Sequence, residues 1–153
     1  EKLARVAMSA FCRGDGGFGG ENRPGPAPAA LPDRAPDHVC DIETLPRQAL
    51  VYRLSGDMNP LHADPDVARS VGFDRPILHG LATYGLAARA ILKSLLDYDA
   101  ARLVGLDVRF SAPVYPGETV RFEIWEEGGE ARFRASIPAR DVVVLNNGAA
   151  RFA

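Results

Sequence analysis

The sequence predicts an α+β domain in which one long apolar helix precedes an antiparallel sheet. Residues 79–98 carry hydrophobic side chains at helical spacing. Residues 106–110, 120–124 and 133–137 instead alternate hydrophobic with polar or charged side chains, which is typical of half-buried strands. Because the strands are grouped after the helix, the pattern favours an α+β arrangement over alternating βαβ units.

The composition indicates one ordinary globular domain. The 153 residues are 46% hydrophobic and 25% charged, which is enough for a single core. Eighteen basic and twenty acidic residues give a formal net charge of -2, so no broad positive field favours nucleic acid or an anionic membrane as a partner. No hydrophobic run reaches the roughly 20 residues that span a bilayer. We therefore expect a cytoplasmic protein, and its Ala, Arg and Pro usage favours a bacterial source.

The first residues resemble the end of an upstream unit. Residues 3–11 are compatible with a strand that has no predicted partner before a glycine-rich stretch. Residues 21–37 are rich in proline and poor in large hydrophobic side chains, as in a linker. Cys12 and Cys40 lack the number and spacing of a disulfide framework or a zinc knuckle, and they suit a reducing compartment.

Three short elements are predicted between the linker and the long helix. Residues 39–45 can form a strand, and Thr44 can then cap a helix that has Pro46 in its first turn. A second helix is predicted to begin at Asp64, an N-cap residue followed by proline, and to stop at Gly72.

The long helix is predicted to be buried on most sides, because leucines widen its apolar surface beyond one stripe. Its predicted solvent-facing residues are Arg89, Lys93 and Asp97. Residues 127–130 (EGGE) predict a hairpin turn. Residues 141–153 can add a last strand, with a bulge or bend at residues 146–148 (NNG).

A polar segment, residues 54–80, separates the short helices from the long one. It contains Asp57, Asn59, His62 and His79 among turn-forming Gly and Pro residues. An ordered polar loop of this kind is more often a functional site than a spacer.

This segment also carries a family resemblance. The motifs are residues 52–62 (YRLSGDMNPLH), 72–73 (GF), 76–80 (PILHG) and 112–117 (APVYPG). They resemble those of MaoC-like (R)-specific enoyl-CoA hydratases, especially the C-terminal repeat of the hydratase domain of the peroxisomal multifunctional enzyme of β-oxidation. The resemblance implies the hotdog fold, a curved antiparallel sheet wrapped around one long helix. It also implies reversible hydration of trans-2-enoyl-CoA to (R)-3-hydroxyacyl-CoA, with coenzyme A as part of the substrate and no separate cofactor.

The same resemblance implies a division of the chain. Residues 11–20 (FCRGDGGFGG) are similar to the tail of the preceding repeat in two-repeat members of the family. We therefore interpret residues 1–20 as the last strand and tail of a preceding hotdog repeat, 21–37 as a Pro-rich linker and 38–153 as the catalytic repeat. Because a single hotdog repeat exposes an apolar face and edge strands, we expect a homodimer or pairing with a preceding hotdog repeat.

The family's catalytic positions correspond to Asp57 and His62. Their five-residue spacing across a proline-containing turn lets both side chains reach one water, and an imidazole exchanges protons near neutral pH. The N–H of Gly80, at the start of the long helix, is the expected donor to the thioester oxygen. Asn59 is expected to support the loop, and Phe110 matches a position that contacts coenzyme A. The predicted substrate-binding residues are Asp57, Met58, Asn59, Pro60, Leu61, His62, Gly80 and Phe110.

Other interpretations of these residues stay open. His79 could join Asp57, His62 and Asp64 in a metal site, but no tetrahedral ligand spacing supports one, and we expect none. We expect His79 to hydrogen-bond the backbone beneath the loop instead. As a whole, the chain could also be a hotdog acyl-CoA thioesterase, or a non-catalytic acyl-binding or dimerisation module.

Overall fold

The computed structural model describes residues 2–10, 12, 14–20 and 30–153. Its helices and strands are β1 (His38–Glu43), α1 (Gln48–Tyr52), α2 (Pro65–Ser70), α3 (Gly80–Leu95), β2 (Leu103–Phe110), β3 (Thr119–Glu127), β4 (Glu130–Ile137) and β5 (Val142–Phe152). Short 3₁₀ turns at Arg53–Ser55 and Pro60–His62 lie between α1 and α2. Among the described residues, no helix combines the length and the hydrophobicity that crossing a bilayer requires.

The five strands form one antiparallel sheet in the order β1-β3-β4-β5-β2. Helix α3 contacts β1 and β2, the two edge strands, and also β3. Because one helix reaches both edges, the sheet curves around it. This is the α+β arrangement that the sequence predicts.

The core lies between the inner face of the sheet and α3. On β3 and β4 every second side chain is buried, and the largest of these are Phe122 and Phe133. Burying a side chain of this size stabilises the fold by about 1.5–3 kcal/mol. Ala87 and Ala90 of α3 are fully buried, since their small side chains let the helix approach the sheet closely.

The long helix differs from its prediction in two ways. It ends at Leu95 rather than near residue 98, because Asp97 and Tyr98 adopt left-handed backbone angles, φ 46° and 62°. It is also less covered than expected, since Leu81 is 63% exposed and Gly85 is exposed. The three polar residues predicted to face solvent are exposed, as expected.

The sequence predicts Thr44 as the cap of α1, and this prediction is wrong. The N-cap position is Arg47, and no side chain bonds the helix start there. The Thr44 hydroxyl instead donates to the backbone oxygen of Glu118 (2.8 Å) and accepts the N–H of Gly117 (2.9 Å). Pairing of β1 with β3 brings these distant groups beside Thr44, and their hydrogen bonds replace the local cap. The predicted Asp64 cap of α2 is confirmed, because its carboxylate accepts two backbone N–H groups.

The N-terminal residues differ from expectation in two places. No strand forms in residues 2–10, where Leu3, Val6 and Met8 are exposed without partners; Phe11 lies outside the described residues.

The end of the predicted linker is docked on β3 rather than free. The Trp125 indole donates to the Arg34 carbonyl oxygen (2.8 Å). The Asp37 N–H donates to the backbone oxygen of Ile124 (2.9 Å). Residues 21–29 lie outside the described residues, and the division of the chain stays a prediction.

The bulge predicted at residues 146–148 forms in β5. The pairing of β4 with β5 shifts register between Phe133 opposite Gly148 and Ala135 opposite Leu145. Asn147 has φ 50°, an angle that Asn adopts more readily than most residues. A Cβ on Gly148 would lie 2.6 Å from the carbonyl oxygen of Phe133 and 2.7 Å from its ring. Only glycine fits at this point of the sheet.

Replacing Gly148 by alanine should therefore destabilise the fold by about 1–3 kcal/mol, the usual cost of overpacking a core. The nearest obstacle is backbone, which cannot swing aside as a side chain could. Urea or thermal unfolding measures the loss. Gly85→Ala is the matched control, because a Cβ there meets nothing within 4 Å and alanine favours a helix interior. Equal stability of the two variants would contradict this account of the bulge.

Candidate active site

The loop between α1 and α3 is shaped by its own side chains. The Asp57 carboxylate accepts the N–H of Asn59 (3.2 Å), and the Asn59 side-chain oxygen accepts the N–H of Leu61 (3.0 Å). Asn59 thus caps the 3₁₀ turn that begins with Pro60 and ends at His62. The structure places Asn59 in the loop-shaping position that the sequence predicts for it. The turn carries the His62 ring inward, while Asp57 stays exposed.

His62 is 8% exposed, and its Nδ1 lies 2.8 Å from the carbonyl oxygen of Ile77. A carbonyl oxygen can only accept, so Nδ1 carries the proton in the neutral ring. Nε2 is then left with a lone pair. The backbone of a neighbouring segment therefore selects the tautomer in which Nε2 is the basic nitrogen.

His79 lies under the loop, as the sequence predicts. Its side chain is 1% exposed, and its Nε2 donates to the carbonyl oxygen of Asp57 at 3.1 Å. The His79 ring stacks on that of His62, with centroids 3.7 Å apart and 26° between the planes. Burial lowers the pKa of His79 below its ordinary value. His79 is therefore a neutral ring between the two predicted catalytic residues.

The stacked rings argue against a metal site. Asp57, His62 and His79 each offer one donor atom within 4.8 Å of the others. A zinc ion needs its nitrogen ligands at about 2.0–2.1 Å with their lone pairs converging. Each lone pair lies in the plane of its ring, and the two ring planes are only 26° apart with centroids 3.7 Å apart, so the two lone pairs do not meet at one ion. The carboxylate of Asp64, the fourth predicted candidate, is engaged in capping α2.

A cavity of about 280 Å³ opens beside His62. Its lining residues are His62, Phe73, Ile77, Leu78, Gly80, Thr83, Phe110, Ser111, Ala112, Pro113, Val114 and Val144. Gly80 is the first residue of α3, and its N–H has no acceptor within the described part of the chain. The Phe110 ring borders the same point, 3.5 Å from where a Gly80 Cβ would lie. A residue with a free N–H at a helix start thus lines the same cavity as His62.

Comparison with known proteins identifies the family. The protein family described as "MaoC like domain" matches residues 28–147, which is most of the chain. The chain belongs to the MaoC-like family.

Relatives of this MaoC-like chain are longer than it is. It is 47% identical to enoyl-CoA hydratase ChsH3 of Mycobacterium tuberculosis, over 92% of this chain and 49% of that protein. It is 46% identical to peroxisomal multifunctional enzyme type 2 of Mus musculus, over 96% of this chain and 20% of that protein. The chain therefore spans about half or less of the length of these relatives.

Solved structures agree with the predicted hotdog fold. A MaoC-like dehydratase from Phytophthora capsici superimposes with a TM-score of 0.86 at 45% identity, covering 92% of this chain and 50% of that one. Full-length peroxisomal multifunctional enzyme type 2 from Drosophila melanogaster gives 0.78 at 41% identity, covering 80% and 23%. The predicted fold and family are both confirmed.

Within the MaoC-like domain, the structure divides the predicted binding residues into two groups. His62, Gly80 and Phe110 line the cavity, and Asp57 lies within reach of the imidazole. Met58, Asn59, Pro60 and Leu61 lie outside the lining of this cavity, because the turn directs only its last residue inward. The roles of all these residues stay predictions.

Several cavity residues were not assigned a role from the sequence. Phe73 and Ile77 belong to the motifs that carry the resemblance, as do the lining residues Ala112, Pro113 and Val114. Those motifs were the available signal, although they gave no residue roles. Thr83 and Val144 carried no signal, since they join the site only when α3 and β5 are packed together.

Proposed function

We propose that this chain catalyses the reversible hydration of a trans-2-enoyl-CoA to an (R)-3-hydroxyacyl-CoA. The observation that carries the proposal is the tautomer of His62. Its Nδ1 is hydrogen-bonded to the Ile77 carbonyl, which leaves Nε2 as the basic nitrogen of a ring that lines a cavity. One nitrogen of this ring lies within 4.8 Å of the Asp57 carboxylate. The names of the relatives from Mycobacterium tuberculosis and of "Enoyl-CoA hydratase 2, peroxisomal" from Arabidopsis thaliana support the same reaction.

The proposed mechanism begins with a water held between two residues. His62 Nε2 takes a proton from this water, and the oxygen bonds to the β-carbon of the enoyl group. Electrons of the double bond move toward the thioester oxygen, where the Gly80 N–H and the start of α3 stabilise the developing negative charge. The proton then passes through the Asp57 carboxylate to the α-carbon. Both parts of the water thus end on the former double bond, and the protein returns to its starting state.

Incubation with crotonyl-CoA and with a longer enoyl-CoA tests the proposal. We expect loss of the enoyl absorbance, a 3-hydroxyacyl product of R configuration on chiral analysis, and no release of free thiol. Thiol release without hydration would instead support the thioesterase alternative. Binding of the acyl-CoA without turnover would support the non-catalytic module. Asp57→Asn is the control, since it keeps the shape of the side chain and removes its charge.

The assembly of the protein is also a proposal. β2 is an edge strand, and Val104 on it is 64% exposed; Leu81 on α3 is 63% exposed. Unpaired edges and exposed hydrophobic side chains favour association. We expect a homodimer or pairing with another hotdog repeat, and a mass measurement in solution tests this expectation. A stable monomer at micromolar concentration would contradict it.

The expected cellular location is a proposal as well. Relatives at 42–47% identity come from Mycobacterium tuberculosis and, by name, from peroxisomes of a plant and an animal. These relatives support both a bacterial source and a peroxisomal location. The cytoplasmic, bacterial assignment therefore rests on the sequence composition.

A further inference from the structure

His79 contacts both proposed catalytic residues without lining the cavity. One ring nitrogen reaches the backbone of Asp57, and the flat face of the ring supports the imidazole of His62. The Tyr52 ring lies 4.8 Å away and tilted, on the α1 side. His79 also directly precedes Gly80, and its carbonyl oxygen accepts two N–H groups of the first turn of α3. One buried residue therefore contacts Asp57, His62 and the first turn of α3.

The two stacked histidines must adopt opposite tautomers. Each ring has one nitrogen against a carbonyl oxygen, and a carbonyl oxygen forces that nitrogen to carry the hydrogen. The hydrogen is on Nδ1 in His62, facing Ile77, and on Nε2 in His79, facing Asp57. The other nitrogen of His79, Nδ1, is buried and has no partner within the described residues. A second proton on His79 would be an N–H without an acceptor.

The charged and titratable groups around His79 act in both directions. Asp57 favours a positive charge on the His79 ring, while His62 and Arg53 oppose one. Tyr52 is a further titratable residue beside His79, with its ring centroid 4.8 Å from that of His79. Desolvation is the largest influence, and it also opposes the charge. Desolvation and the unpartnered Nδ1 therefore both disfavour a second proton on His79.

We propose that His79 is a positioning residue for the hydration reaction: its neutral ring fixes the backbone of Asp57 and supports the His62 imidazole. The stacked pair then takes up only one additional proton, and that proton is on His62. This inference rests on the proposed function. It assigns His79 no contact with substrate. It explains why a buried histidine with one unpartnered nitrogen occupies the position before Gly80, where an apolar side chain would leave the Asp57 carbonyl without its donor.

Nitrogen-15 NMR of the histidine rings tests the proposal without substrate. The chain has three histidines, and His38, which lies on β1, serves as the reference. We expect the Nδ1–H tautomer for His62 and the Nε2–H tautomer for His79. As the pH falls, His62 should protonate while His79 keeps its neutral signals. Protonation of His79 before His62, or the same tautomer in both rings, would overturn the proposal.

Two variants separate the hydrogen bond to the Asp57 backbone from the ring stack on His62. His79→Gln keeps an N–H that can reach the Asp57 carbonyl but removes the ring, whereas His79→Phe keeps a ring under His62 but removes the donor. Because misplacement of catalytic groups by about 1 Å can cost about 100-fold, we expect each variant to lower kcat by roughly 10- to 100-fold with a smaller change in KM. In His79→Gln the NMR signals of His62 should also broaden or shift. Wild-type kcat in both variants would overturn the proposal.

The pH dependence of stability gives a readout that does not involve catalysis. In the unfolded chain His79 has its ordinary pKa near 6.5, and in the folded chain its pKa is lower. Below that pH the unfolded state binds more protons, so wild type should lose stability as the pH falls. His79→Gln should lose less over the same range. Equal slopes would contradict a buried neutral His79. If the NMR and stability results hold while wild type hydrates no enoyl-CoA, the proposed function fails and the pairing of tautomers stands.

Discussion

Replacing Gly80 by proline should lower kcat for enoyl-CoA hydration by about 10²- to 10³-fold, the usual cost of removing one oxyanion donor. Proline has no N–H to offer the thioester oxygen. The helix should tolerate it, because Gly80 is the first residue of α3 and proline is favoured there. His79 already has φ -58° and ψ 138°, the extended conformation that a residue before proline prefers. Steady-state kinetics with crotonyl-CoA measure the loss.

Gly80→Ala is the matched control for this variant. Alanine keeps the N–H and adds only a Cβ, which would lie 3.5 Å from the Phe110 ring, an ordinary van der Waals contact. We expect it to be at least about tenfold more active than the proline variant. Equal activity of the two variants would mean that space at Gly80, and not its N–H, is what the reaction needs. Thermal unfolding of both verifies that α3 still forms.

Replacing His62 by asparagine should lower kcat by about 10²- to 10⁴-fold, the range for loss of a general acid or base. The asparagine side chain places an N–H near the position of Nδ1, so the bond to the Ile77 carbonyl can persist. The basic Nε2 is lost. Stability should therefore stay close to that of wild type, while turnover with crotonyl-CoA nearly disappears. Unfolding and kinetics are measured on the same preparation.

His62→Ala and a double variant complete this experiment. Alanine removes the Ile77 contact as well, so it should be less stable than the asparagine variant. Combining His62→Asn with Asp57→Asn should cost little more than either change alone, because residues that act on one water are not additive. Losses that multiply would mean that Asp57 and His62 act independently. That result would contradict the proposed relay through Asp57.

The sequence predicted those parts of the fold that depend on local patterns. The alternation in β3 and β4, the Asp64-Pro65 start of α2 and the Gly-Gly hairpin are all set by neighbouring residues, and each appears in the structure. Thr44 was misassigned because its partners lie more than 70 positions away in the sequence. Helix-capping propensity depends on neighbouring residues alone, so it cannot predict that a tertiary hydrogen bond will replace a local cap.

The candidate site shows the same division between local and distant information. The motif located Asp57, His62 and Gly80; the structure places His62 and Gly80 on one cavity and Asp57 beside the pair of histidine rings. The tautomer of His62 depends on the Ile77 carbonyl, and the ring stack depends on the folded path from residue 62 to residue 79. No spacing rule predicts two imidazoles face to face. That relation appears only when the loop and α3 are packed together.

The docking of residues 34–37 on β3 gives the protein an optical reporter. Trp125 is the chain's single tryptophan, and its buried indole hydrogen-bonds the Arg34 carbonyl rather than another strand. Indole fluorescence depends on the polarity around the ring, so the emission wavelength of Trp125 reports whether residues 34–37 are docked on β3. A change of partner or of upstream sequence could then be followed in a cuvette, without a label and at the concentrations used for enzyme assays.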